Sequence, residues 1–405
     1  MFFFRIAILY VLCFYLLVVS SILPGGGLLG LIVILIPFLY YVNKGKLNIN
    51  MSTKSSGFSI LVLYFILQFS IWSIGVFFGL SASIHQYLIQ AALMLCFLFV
   101  LLASKQSTLD GFIRAYIFFA AIMSAAGFLA WYAIYAGYVG TDEFLITMHD
   151  LSGGKINAAN QHTYSWPYYL GLVLTHVDPS VSSIGNHLFF RASGWASEPH
   201  IAATFVMPAL IVLVLDKYMF RKNLRLVLII SIISFWIVCA AVSSIISIFL
   251  LIVLGQVLAL NKKFNPLQKV FIFTVVVLII LILLNFQTEI IQSSSFIAVR
   301  FGDNSPTLQT TLGNFLWFLK TQTTLDFLYN SLKLLFAIFV FKVSLEGIFK
   351  SGYAAIYGYV MLYLLFIGAK GAWNYTSVDP FTMFFFYLLI FHSYNKGSVI
   401  EQNTI

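Results

Sequence analysis

The chain reads as an all-α, polytopic membrane protein of about twelve transmembrane helices. Three observations carry that reading. Of its 405 residues, 61% are hydrophobic and only 9% are charged, whereas a soluble domain carries about 25% charged residues. Apolar runs long enough to cross a bilayer recur along its whole length. Lysine and arginine collect in alternate connections between those runs. The chain is treated as one integral membrane domain, 1–405, because counting soluble domains by length does not apply to such a composition.

A spanning helix needs roughly 20 mostly apolar residues. Runs of that kind fall near 6–23, 27–42, 58–80, 87–103, 112–139 and 200–215, then 224–240, 243–260, 268–285, 326–342, 352–369 and 379–394. The first begins with a single arginine, like a signal peptide. No small-residue cleavage site follows it, so it is kept as the first helix. Gly25-Gly-Gly27 makes a short hairpin to the second. The abundant Phe (42) and Tyr (22) suit lipid-facing surfaces and interfacial belts. Cys13, Cys96 and Cys239 sit in apolar runs without metal-ligand spacing, and read as small core residues.

Orientation follows from the basic residues. Arg5, Lys44, Lys46, Lys54, Lys105, Arg114, Lys217, Arg221, Lys222 and Arg225 fall on one side, with Lys262, Lys263, Lys269, Lys342, Lys350 and Lys396. These sixteen face only four acids, Asp110, Asp216, Glu346 and Glu401. That side is therefore cytoplasmic, and both termini lie there. The other side has Lys155, Arg191, Arg300, Lys320 and Lys370 against nine acids. The net charge of +9 is thus a topology signal, and nothing in it calls for nucleic acid.

The external side carries two long connections, about 140–199 and about 286–325. Loops of that length in a compact protein are usually functional or disordered. The first contains Trp166-Pro-Tyr-Tyr-Leu-Gly-Leu-Val173, expected to lie on the membrane as a short interfacial helix. Six of the seven histidines are external, at 85, 149, 162, 176, 187 and 200. No two have His-x-x-x-His spacing and the external acids are scattered, so no metal and no cofactor are expected.

The first long loop ends in Arg191-Ala-Ser-Gly-Trp-Ala-Ser-Glu-Pro-His200. Pro199 suits the first position of a helix, where its missing N–H costs nothing. Glu198 then sits beside the positive end of the helix dipole. Gly194 permits a tight turn between Arg191 and Glu198. An arginine, a glutamate and His200 are thereby gathered at the mouth of a membrane helix. They suit either a loop-pinning salt bridge or a catalytic cluster. Pro208 lies farther along the same run and should kink that helix or free a carbonyl.

An external cation stands against the positive-inside bias, which singles out Arg191 and Arg300. The guanidinium is a planar, always-charged fork that suits phosphate oxygens. Arg300 follows Phe296-Ile-Ala-Val299 and precedes a turn-forming Gly-Asp-Asn-Ser-Pro stretch, a context that also suits snorkelling to headgroups. Lys320 and Lys370 are weaker candidates of the same kind. Lys333 lies inside the 326–342 span, where a lysine is expensive unless it faces water, a partner or an anionic ligand, or snorkels.

The pattern Arg191-x-x-Gly194-x-x-x-Glu198-Pro199, opening an apolar helix, resembles that of bacterial O-antigen polymerases and O-antigen ligases. The upstream Pro-Tyr-Tyr-Leu-Gly-Leu run is similar to the Wzy-type polymerase branch. The likeness is confined to roughly 164–210, together with a compatible plan of spans and loops. It implies a lipid-embedded, GT-C-like helical glycosyltransferase facing the periplasm from the inner membrane. Such an enzyme acts on undecaprenyl-diphosphate-linked oligosaccharide, without a nucleotide sugar. The partners implied are that substrate, membrane lipid and a chain-length regulator protein.

The resemblance implies Arg191 as a functional residue by direct match. Arg300 follows more loosely, as an arginine of the second long loop. Ligases are expected to use a histidine in that loop. Here it has none, which favours the polymerase of lipopolysaccharide biosynthesis.

The chemistry fits those residue types. Breaking a sugar–diphosphate bond leaves an anionic group that fixed cations stabilise. The attacking hydroxyl needs a base within reach, with Glu198 the first candidate and His200 the second. The alternative role for Glu198 is to orient Arg191. The alternatives are a ligase transferring polymer to the lipid A core, and a lipid-linked oligosaccharide flippase or other transporter. Transporters usually carry ionisable residues within their spans; here Lys333 is nearly alone.

Overall fold

The computed structural model describes residues 56–78, 95, 98, 101–102, 106–138, 145–147, 165–169, 173–176, 183–184, 187–188 and 191–196, then 199–239, 241–261, 324–350, 352–368 and 380–394. They are predominantly helical. Eight of the twelve apolar runs meet a described helix. The runs at 6–23, 27–42 and 268–285 lie outside the described residues, as does most of 87–103. Three of the described helices contain stretches long and apolar enough to cross a membrane: Ser56–Phe77, Leu109–Ala133 and Lys222–Cys239.

Helix α1 (Ser56–Phe77) buries Gly57, Leu61, Tyr64, Gln68, Ile71 and Gly75, alternating steps of four and three. That is the spacing of a packing seam between nearly parallel or antiparallel helices. Helix α2 (Gln106–Tyr135) begins earlier than its apolar run. The Gln106 amide donates to the Asp110 carboxylate at 2.7 Å, an i,i+4 pair that extends the helix into its polar flank.

A small antiparallel sheet follows, from short strands β1 (Leu145–Thr147), β2 (Ser165–Tyr169), β3 (Val173–His176) and β6 (Arg191–Gly194). Strands β4 (Ser183–Ile184) and β5 (His187–Leu188) pair separately. The sheet order is β1-β2-β3-β6. The described part of the stretch expected as an interfacial helix is therefore paired strand, with Tyr168 opposite Leu174 and Tyr169 opposite Val173. Pro167 disfavours a helix interior, while aromatic and β-branched residues favour a paired strand.

Helices α3 (Pro199–Leu215), α4 (Lys222–Cys239) and α5 (Val242–Asn261) come next. Then come α6 (Thr324–Phe349), α7 (Gly352–Gly368) and α8 (Pro380–Tyr394). Most of α7 and α8 is buried, which makes them the centre of the bundle. Their aromatic residues interlock with those of α1, α2 and α3. Phe381 stacks on Phe205, and Tyr64 stacks on Phe386.

Connections that the charge pattern assigns to one side meet in the structure. At one end, the Arg114 guanidinium lies 5.8 Å from the Phe220 ring, which joins the start of α2 to the α3–α4 turn. Asp216 accepts from the Tyr218 and Met219 amides at 2.9 and 3.1 Å, closing that turn. Lys350 donates to the Ser393 carbonyl at 2.8 Å, and Tyr394 donates to Glu346, tying the α6–α7 turn to the end of α8. Tyr353 joins the two groups, feeling the charges of Asp216, Asp110 and Arg114 while its ring meets His392. Three of the connections predicted to share a side thus share an end.

Candidate functional site

Farther along α2 and α4, strand β6 packs against both helices shortly before α3 begins. Strand β6 pairs with β3, His176 opposite Arg191 and Leu174 opposite Gly194, with a bulge between Leu174 and Thr175. Ala192 and Ala196 are fully buried, and Gly194 is buried between them. Gly194 takes φ +57°, the left-handed region that a side chain disfavours. A Cβ there would stand 3.1 Å from Met123 Cγ and 3.3 Å from Phe235 Cζ, so α2 and α4 close on it from both sides.

Gly127 completes the contact from α2. A Cβ at that position would overlap the Phe235 ring and come within 3.3 Å of Gly194 Cα. Trp195 stacks on Phe119 with ring centroids 5.7 Å apart. The motif's small residues thus seat the turn in a slot between helices. That fixes the backbone of residues 191–196 relative to the bundle.

The start of α3 is held as well. Cys239, at the end of α4, donates through its thiol to the Pro199 carbonyl at 2.8 Å. Pro199 is the first residue of α3, as its chemistry requires. Farther along, the helix continues through Pro208. Hydroxyls from neighbouring helices reach carbonyls of the preceding turn. Tyr363 donates to the Ala203 carbonyl at 3.1 Å, and Tyr116 donates to that of Phe205. Tyr363 also meets Ser244 at 2.9 Å, and Ser244 accepts from Trp236 Nε1 at 2.9 Å. Pro208 removes the rung to the Thr204 carbonyl, and the two hydroxyls bond the carbonyls on either side of it.

The structure places some of the predicted site residues and not others. Arg191 opens β6, Gly194 closes it, and His200 lies in the first turn of α3; for Arg191 and His200 the description covers the backbone. Glu198, Arg300, Lys320 and Lys370 lie outside the described residues. Lys333 lies on α6, only 7% exposed, with Nζ 4.1 Å from the Tyr329 ring centroid.

Sequence reasoning missed Gln68, on α1, which is 1% exposed. Its signal was present: a lone amide on an apolar seam. Among the described residues no group of three or more His, Cys, Asp or Glu side chains forms a metal-binding cluster. Searches against family models, curated proteins and solved structures each return no match to the chain.

Proposed function

We propose that the chain is a polymerase of O-antigen or a related surface polysaccharide. It transfers a growing glycan from undecaprenyl diphosphate onto a lipid-linked repeat unit at the periplasmic face of the inner membrane. The observation that carries this reading is the Arg191-x-x-Gly194-x-x-x-Glu198-Pro199 pattern, whose glycine occupies a slot that fixes the arginine's backbone beside a helix start. A mobile loop would lose most of an arginine's effect on a leaving diphosphate, because stabilisation of developing charge depends on preorganisation. In this mechanism Arg191 and Arg300 hold the diphosphate oxygens. Glu198 takes the proton of the attacking sugar hydroxyl, with His200 as the alternative base. Gly194 sets the turn, and Lys320, Lys333 and Lys370 add positive charge along the substrate's path.

A transporter of lipid-linked oligosaccharide is the second reading, and enclosed Lys333 is what favours it, since intramembrane ionisable groups mark translocation pathways. Lipopolysaccharide banding in a deletion strain decides between the readings. A core capped by one repeat unit is the result expected of a polymerase. A bare core with lipid-linked polymer accumulating would show a ligase. Failure to deliver unpolymerised units across the membrane would show a transporter.

A further inference from the structure

Helix α2 carries one exposed stripe along its length. Arg114, Phe118, Ile122, Ala125 and Leu129 recur at steps of four and three, and Tyr132 continues them. From Arg114 to Tyr132 the stripe runs about 27 Å at the rise of an α-helix, close to the thickness of a bilayer's hydrocarbon core. An arginine therefore stands at one border and a tyrosine at the other, each at the level of the headgroups. On α4 a second exposed stripe, Leu226, Ile230, Ile233 and Ile237, begins at Lys222.

These cations share a rim. The Arg114 guanidinium is 5.8 Å from the Phe220 ring, and the Phe118 ring, one turn along α2, meets the same ring with centroids 5.4 Å apart. Arg221 and Lys222 follow Phe220 directly in the chain, and Lys217 and Arg225 flank them. Ser231 donates to the Ala121 carbonyl at 2.9 Å, holding α4 against α2 farther from the rim. The nearby carboxylates are engaged elsewhere. Asp216 is 5% exposed and accepts the Tyr218 and Met219 amides. Asp110, within electrostatic reach of Arg114, accepts from Gln106. Among the described residues, no carboxylate forms an ion pair with Lys217, Arg221, Lys222 or Arg225.

We propose that the rim of Arg114, Phe220, Arg221 and Lys222 seats the phosphate of an anionic glycerophospholipid, with an acyl chain lying along the α2 stripe. Charge complementarity sets the headgroup. The guanidinium fork matches phosphate oxygens, and each further cation at a membrane surface adds attraction for an anionic lipid. The stripe sets the lipid. Its apolar side chains run from the cations into the hydrocarbon core, where a soluble anion has nothing to contact. The leaflet is the one that the charge pattern makes cytoplasmic. The site does not depend on the glycan chemistry proposed above, since Arg114 lies about 20 Å along α2 from Gly127 and the Gly194 turn.

The test uses the full chain in detergent and measures bound lipid by native mass spectrometry. The probes are phosphatidylglycerol, phosphatidylethanolamine with the same acyl chains, and inorganic phosphate. Wild type should bind phosphatidylglycerol about tenfold or more tighter than phosphatidylethanolamine. Arg114→Gln and Lys222→Gln should each weaken phosphatidylglycerol about fivefold. Lys222→Gln leaves the Arg114–Phe220 contact in place, so it reads binding even if Arg114→Gln fails to fold. Lys342→Gln is the control, because that exposed ammonium, 3.9 Å from Glu346, is carried by α6 rather than by α2 or α4. It should leave the affinity unchanged.

Equal affinity of the wild type for the two lipids would overturn the proposal. So would a folded Lys222→Gln variant that binds phosphatidylglycerol as the wild type does. A loss at Lys342→Gln as large as that at Lys222→Gln would show a diffuse positive field in place of a seat. Inorganic phosphate binding as tightly as phosphatidylglycerol would overturn the role of the α2 stripe.

Discussion

At Gly194 two independent costs meet any side chain. Its backbone lies in the left-handed region, and Met123 and Phe235 fill the space a Cβ would need. The conformational part alone is about 1–2 kcal/mol for alanine. Gly194→Ala should therefore lower the melting temperature in detergent and reduce polymer. Gly111→Ala is the matched control. That glycine sits in α2 with nothing within 4 Å of a built Cβ, so alanine should stabilise by about 1 kcal/mol through helix propensity. Equal melting of the two variants would remove the slot from the argument. For Arg191 the expectation is chemical. Arg191→Ala should cost on the order of 3 kcal/mol in rate, about a hundredfold, and Arg191→Lys should restore only part. A folded Arg191→Ala variant retaining more than about a third of the wild-type rate would show a contribution below about 1 kcal/mol, the size of an exposed salt bridge. The same measurement applies to Arg300→Ala, and Glu198→Gln should abolish the base while keeping its size.

Among the described elements, α6 and α7 approach closely at Gly358. A Cβ on Gly358 would meet the Ser344 carbonyl at 2.7 Å and Ile348 Cγ1 at 2.8 Å, and one on Gly347 would run into Leu389. Small residues that let helix backbones approach are a usual device of membrane bundles. Gly358→Leu should force α6 and α7 apart and cost at least about 1–3 kcal/mol of stability. A melting temperature equal to wild type would show that the pair can yield. The brace at α3 is a milder case. Tyr363→Phe removes two hydrogen bonds at the Pro208 turn, and such interhelical bonds average about 0.6 kcal/mol each. Much at this scale was legible beforehand. Apolar runs found the helices, because a span is defined by its own composition. Pro199 and Gly194 announced a helix start and a turn by local rules. The paired strand at Trp166 was not legible, since aromatic-rich stretches suit a membrane surface and a strand alike. Nor was the slot around Gly194, whose walls come from residues far away in sequence. Gln68 escaped notice because its burial is fixed by seams on other helices.

For the molecule as a whole, the charge pattern makes a sidedness prediction. Single cysteines at 217, 262 and 350, in a background with Cys13 and Cys96 changed to alanine and Cys239 to serine, should resist an impermeant thiol reagent added from outside. Cysteines at 155, 300 and 370 should react. The reverse pattern at 155 and 300 would invert the topology and place the Arg191 turn on the cytoplasmic face. The contacts among Arg114, Phe220, Asp216, Tyr353 and Lys350 belong to the end that should stay protected.

Among the described elements, helix α1 packs against α6 and α8, and Tyr64 stacks on Phe386 from the far end of the chain. During synthesis, then, α1 enters the bilayer long before the surface it will cover exists. Its amide at Gln68 must wait in lipid, or in the insertion machinery, until the covering helices have been made. A ribosome stalled before Pro380 would leave that seam open, a mark by which a membrane protease could tell an unfinished copy from a finished one.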